Sequence, residues 1–87
     1  MKRLFIANRG EIAVRIAQSA KEMGIEIAAL IPPQDASGPL LESLDYSIPA
    51  GSNEEAMEMF LDPDRMVDCA KQLDCDAVHP GYGFLSE

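Results

Sequence analysis

The chain has no tryptophan, one histidine, two cysteines and only 7 basic residues against 15 acidic ones. Each shortage excludes something. Cys69 and Cys75 are too widely spaced for a CxxC redox pair, and one histidine cannot complete a zinc set with them. They read as reduced, small apolar residues, which points to a cytoplasmic protein, or a mitochondrial one if the parent is eukaryotic. A net charge of −8 argues against nucleic acid and anionic membrane as partners. Long apolar runs are missing as well. Met1 to Ala7 opens like a signal peptide, but its apolar stretch stops at Asn8-Arg9, too short for a secretory core. No segment approaches membrane-spanning length, and no transit peptide is visible. Neither GxGxxG nor GxxxxGK[ST] occurs, so the two common phosphate-cradling loops are absent.

What is present is an alternation of short apolar runs and helical periods. Leu4–Ala7 predicts a strand buried on both faces. A helix follows from about Glu11 to Met23, with Ile12, Ile16, Ala20 and Met23 on one face and Gly24 as its left-handed cap. Glu11 in the first turn suits the positive end of the helix. Ile25–Ile31 predicts the next strand, so the first 31 residues spell β-α-β. Ser37-Gly38-Pro39 opens a short helix carrying Leu40, Leu41 and Leu44, and a weak strand lies between Asp45 and Pro49. Ser52 and Glu55 fit a capping box ahead of a helix over Glu54–Phe60, in which Met57, Met59 and Phe60 form the core side and Glu54, Glu55 and Glu58 a solvated face. Asp62-Pro63 starts another helix, with Met66, Val67, Ala70 and Leu73 inward. Asp76–His79 predicts a fourth strand.

Such a pattern predicts an α/β fold, an open parallel sheet with βαβ crossovers. The chain ends just after a strand and a loop, where a further helix would cover the sheet, so it reads as a piece of something larger. The final loop, His79-Pro80-Gly81-Tyr82-Gly83-Phe84-Leu85-Ser86-Glu87, sets an aromatic between two glycines after a strand. Glycine allows positive φ and close approach of backbone to a ligand, and open α/β sheets bind ligands beyond the carboxyl ends of their strands. A plain strand-to-helix turn with Tyr82 packed over it is the other reading of the same residues. Asn8 and Gly10 read as turn formers, Arg9 as the partner of a carboxylate, and Glu11 as a charge that would repel a pyrophosphate. Lone His79 at a strand end reads as a hydrogen-bonded structural residue. No metal-ligand spacing and no nucleophile–base pair can be argued from these residues. By themselves they give a ligand-type loop and no reaction.

Two long stretches carry a resemblance. Ile6-Ala7-Asn8-Arg9-Gly10-Glu11-Ile12-Ala13-Val14-Arg15-Ile16 and Asp76-Ala77-Val78-His79-Pro80-Gly81-Tyr82-Gly83-Phe84-Leu85-Ser86-Glu87 resemble the two signature segments of the biotin carboxylase N-terminal domain, in order and separation. The likeness covers residues 1–87 and is weaker from Pro32 to Leu61. It implies a Rossmann-like, pre-ATP-grasp domain, followed in the complete enzyme by an ATP-grasp and a C-terminal domain. That enzyme, a ligase, uses ATP, magnesium and bicarbonate to carboxylate biotin on a carrier domain. The groups for phosphoryl transfer would lie beyond this segment, so no catalytic residue is expected here and residues 1–87 alone should be inactive. The resemblance places Tyr82 and Gly83 at the biotin and bicarbonate pocket with Glu87 nearby, and gives Asn8, Arg9, Gly10, Glu11, His79, Pro80 and Gly81 to the motif framework.

There are departures. Pro32-Pro33-Gln34-Asp35 and Gly38-Pro39 stand where the family shows a Ser/Asp-rich segment with a histidine, and Phe60-Leu61-Asp62 replaces Tyr-Leu-Asn. Gln18 occupies the place of a basic residue that, with an acid near Glu22, makes the dimer contact of the bacterial subunit, which bears on homodimer formation. Readings from other classes are a non-catalytic α/β interaction module or truncated regulatory product, and an unrelated nucleotide-binding domain.

Overall fold

A computed structural model of the chain describes residues 2–81. Four parallel strands, β1 (Arg3–Ile6), β2 (Glu26–Ile31), β3 (Tyr46–Pro49) and β4 (Ala77–His79), form one sheet in the order β3-β2-β1-β4. Helix α1 (Gly10–Glu22) joins β1 to β2, and the short α2 (Pro39–Ser43) precedes β3. Helices α3 (Asn53–Phe60) and α4 (Pro63–Gln72) join β3 to β4. A 3-10 turn at Pro33–Asp35, which the Pro-Pro pair did not disclose, lies between β2 and α2.

Both inner strands alternate between two cores. Leu4, Ile6, Ile27, Ala29 and Ile31 meet α1 and Leu40 of α2 on one face. Phe5, Ala7, Ala28 and Leu30 meet Ala56, Phe60, Met66, Cys69 and Ala70 on the other. Continuous apolar runs are what a strand covered on both sides requires. The predicted strands and helices all form, with ends shifted by a residue or so.

Their caps follow the sequence chemistry. The Ser52 hydroxyl accepts from Glu55 N–H at 3.0 Å. Asp62 Oδ1 accepts from Asp64 and Arg65 N–H at 3.1 and 3.3 Å. At the end of α1, Gly24 has φ +75°, its N–H bonds Lys21 C=O, and Ile25 N–H bonds Ala20 C=O, each at 3.0 Å. This double closure satisfies carbonyls the helix would otherwise leave open. Helix α4 closes identically through Asp74 N–H to Lys71 C=O and Cys75 N–H to Ala70 C=O, but its left-handed residue is Asp74 at φ +58°.

Some inward faces differ from expectation. Helix α1 buries Ala13, Ala17 and Ala20, while Met23 is 74% exposed and Ile12 and Ile16 are half-buried. Alanines let a helix lie close on a parallel sheet, so the larger residues turn toward β4, where no described element covers them. In α4 Cys69, not Val67, is buried beside Met66 and Ala70; Val67 is 43% exposed. In α3 Met57 is 42% exposed, Met59 packs at the rim, and Phe60 alone of the three is fully buried. Glu54, Glu55 and Glu58 are exposed, as expected.

Candidate functional site

The strand order contains a reversal. From β1 the chain steps outward to β2 and β3, then returns to place β4 on the other side of β1. All pairings are parallel, so the carboxyl ends of β1 and β4 lie side by side. Such a reversal opens a crevice beyond the strand ends, the usual ligand position in open α/β sheets. Residues 8–11 leave one of these strands and residues 80–81 the other, so the two stretches singled out in the sequence meet at the reversal although some 70 residues apart.

Direct bonds join them. Ala7 N–H donates to His79 C=O at 2.9 Å. Asn8 is 2% exposed; its Nδ2 donates to Pro80 C=O at 2.9 Å and its Oδ1 accepts from Arg9 N–H at 2.8 Å. Gly81 N–H donates to His79 Nδ1 at 3.0 Å, which requires that nitrogen to be unprotonated. Gly81 has φ +66°, and a Cβ there would lie 2.9 Å from both Asn8 Nδ2 and Ile12 Cγ2. Arg9 fulfils its reading: Nε lies 3.3 Å from Asp35 Oδ2, tying the first turn to the 3-10 turn after β2. Glu11 sits in the first turn of α1 and pairs with Arg15 at 3.5 Å, an exposed i,i+4 contact.

Beside this junction runs a groove of about 820 Å³, lined by Leu4, Ile12, Ile16 and Met23, with His79 and Gly81. Tyr82, Gly83 and Glu87, the residues expected to face biotin and bicarbonate, lie outside the described residues. Among the described residues no group of three His, Cys, Asp or Glu could hold a metal ion, and no helix is long and apolar enough to cross a membrane. Burial pushes the Cys69 and Cys75 thiols up, so neither is a thiolate nucleophile at neutral pH.

A second cluster lies at the opposite end of the sheet. The Arg3 guanidinium stacks on Tyr46 at 3.8 Å from the ring centroid, pairs with Glu26 at 3.1 Å and donates to Leu73 C=O at 2.6 Å. It ties α4 and the amino ends of β1, β2 and β3 together and is remote from the crevice. Sequence reasoning gave no hint of it, because its partners are scattered from residue 26 to residue 73.

A parallel α/β sheet covered by helices on both faces, with its two motif stretches joined at a topological reversal, is a doubly wound, Rossmann-like fold. Comparison with known proteins makes the assignment specific: residues 1–87 match the family "Biotin carboxylase, N-terminal domain", and the chain belongs to that family. It is 45% identical over 87 residues to a pyruvate carboxylase of Staphylococcus aureus and 40% identical over 87 residues to Biotin carboxylase 1 of Bacillus subtilis. These matches take in all of this chain but 8% and 19% of those proteins. The biotin carboxylase domain of Hydrogenobacter thermophilus 2-oxoglutarate carboxylase, crystallised as a dimer with MgADP, ADP and bicarbonate, superposes with a TM-score of 0.84 at 35% identity. That likeness covers 98% of this chain and 18% of the other. The chain thus corresponds to the N-terminal region of biotin carboxylase domains and spans less than a fifth of these relatives.

Proposed function

We propose that this chain serves as the N-terminal part of a biotin carboxylase that carboxylates carrier-bound biotin with ATP and bicarbonate, and that it supplies one wall of the biotin and bicarbonate pocket. In this reading Tyr82 offers an aromatic face to the apolar ring of biotin, Gly83 a backbone N–H, and Glu87 a nearby acid. The observation that supports the reading is the meeting of the Asn8–Glu11 and His79–Gly81 stretches at the sheet's reversal, beyond the carboxyl ends of β1 and β4. ATP and magnesium are held by groups outside this segment. Its partners are the ATP-grasp and C-terminal domains, the biotin carrier domain, and a second copy in a homodimer, within the cytoplasm or the mitochondrial matrix.

Tyr82→Ala in the complete enzyme, assayed with free biotin, tests the pocket. The expected result is a raised KM for biotin, about tenfold, because an aromatic contact worth about 1 kcal/mol or more is lost. A normal rate and a normal KM would remove Tyr82 from the pocket.

A further inference from the structure

We infer that His79 is a pH-sensitive latch: its neutral imidazole holds the Pro80–Gly81 segment, and protonation of the ring lets that segment go. The latch lies within residues 2–81 and does not depend on Tyr82 or Gly83 facing a ligand.

The polar main-chain atoms of this segment fall into two sets. Its carbonyls are held from the β1 side, by Ala7 N–H to His79 C=O at 2.9 Å and by Asn8 Nδ2 to Pro80 C=O at 2.9 Å. Amides do not titrate near neutral pH, so those two bonds are indifferent to acid. The donor side is different. Proline has no N–H, which leaves Gly81 N–H as the one main-chain donor of the pair, and among the described residues its acceptor is His79 Nδ1 at 3.0 Å. A ring nitrogen that accepts carries no proton. Imidazole is the side chain whose ordinary protonation falls between about pH 5 and 8, and this chain has a single histidine. Once Nδ1 is protonated, two N–H groups face each other at hydrogen-bonding distance, and attraction gives way to repulsion.

Little room exists for Gly81 to adjust around that conflict. It sits at φ +66°, packed so closely that a Cβ would come within 2.9 Å of Asn8 Nδ2 and Ile12 Cγ2 and 3.2 Å of Ile16 Cδ1. Relief comes from turning the exposed His79 ring away or from rotating the 80–81 peptide, and either leaves Gly81 N–H to water. Ala77, two residues earlier on β4, packs with the α1 core, so His79 shares the α1 face of the sheet. The charged groups that line the same groove are Glu11 and Arg15 of α1, which pair with each other at 3.5 Å in an exposed contact. Their opposite fields on an imidazolium offset one another and are weakened by solvent. From β1 the residue in register with His79 is Ile6, which is uncharged. The bond to Gly81, and not a neighbouring charge, is therefore what distinguishes the two protonation states.

The test is NMR of the full 87-residue chain across about pH 5 to 8, with two variants. His79→Asn presents Oδ1 where Nδ1 stood and does not titrate; His79→Phe keeps a ring and removes the acceptor. In the parent, the Gly81 amide resonance should move with the His79 ring protons at one shared midpoint. Its protection from hydrogen exchange should fall about fivefold on the acid side, while amides of β1 and α1 stay protected. His79→Asn should keep the Gly81 protection over the whole range, and His79→Phe should lack it at every pH. A Gly81 amide that stays constant while His79 titrates would overturn the latch. So would a His79→Asn chain that follows the parent, a His79→Phe chain as protected as the parent at neutral pH, or an acid loss shared by β1 and α1.

Discussion

At the scale of single residues, conformations that look like turn chemistry in the sequence prove to be fitted contacts. Gly81 is one. Substituting alanine would place a methyl group against Asn8 and Ile12 and force a side chain into positive φ. Strain and overpacking together predict a loss of about 2–4 kcal/mol in Gly81→Ala, measurable by urea denaturation. Asp76 is another. Its carboxylate accepts from Arg3 N–H at 2.9 Å and Lys2 N–H at 3.0 Å, and these bonds hold its pKa below the ordinary aspartate range. A depressed folded-state pKa contributes stability that is present above the unfolded value and lost as pH falls through the folded one. The gap in stability between the parent and Asp76→Asn should therefore be widest at neutral pH and close as acid passes below about pH 4. Denaturant midpoints taken across that range check it, and a gap that stays constant would disprove the linkage. Neither the Asn8–Pro80 bond nor the Asp76 bonds could be read from the sequence, since each joins residues more than 70 positions apart.

At the scale of elements, helices α1 and α4 end in the same hydrogen-bond closure with different residues at the left-handed position. Gly24 adopts φ +75° without strain; Asp74 adopts φ +58° and carries a Cβ that disfavours it. Asp74→Gly should stabilise the chain by about 0.5–1 kcal/mol, and Gly24→Ala should destabilise it by about 1 kcal/mol. Thermal melts of the two variants should move in opposite directions; shifts of one sign would contradict the account. The elements themselves were legible because local chemistry specifies them: apolar runs for the strands, Ser52 and Asp62 as caps, Gly24 as a stop. The inward faces were less so. Hydrophobicity alone favoured Met23, Val67 and Met57, yet close approach to a parallel sheet selects Ala13, Ala17 and Cys69. The larger residues are left to line the α1–β4 groove or the surface. Pairing order, and hence the reversal at β1, is a tertiary property that no local run encodes.

At the scale of the whole molecule, the fold brings the Asn8–Glu11 and His79–Gly81 stretches together at the reversal of the sheet. The chain spans 8% of the Staphylococcus aureus pyruvate carboxylase and 19% of the Biotin carboxylase 1 that it matches, and in the reading proposed here the groups that hold ATP and magnesium belong to the remainder. Phosphoryl transfer depends on positioned cations and phosphate contacts. Purified residues 1–87 should therefore show no bicarbonate-dependent release of ADP from ATP and no carboxylation of biotin. Turnover by the purified segment would overturn the division of labour proposed here.

The most direct measurement is a crystal structure of the complete enzyme bound to biotin and bicarbonate. The account predicts that Tyr82 and Gly83 lie within about 4 Å of the bound molecules, beyond the carboxyl ends of β1 and β4. Ligands seated elsewhere, with the Asn8–Gly81 junction making no part of their surroundings, would contradict it.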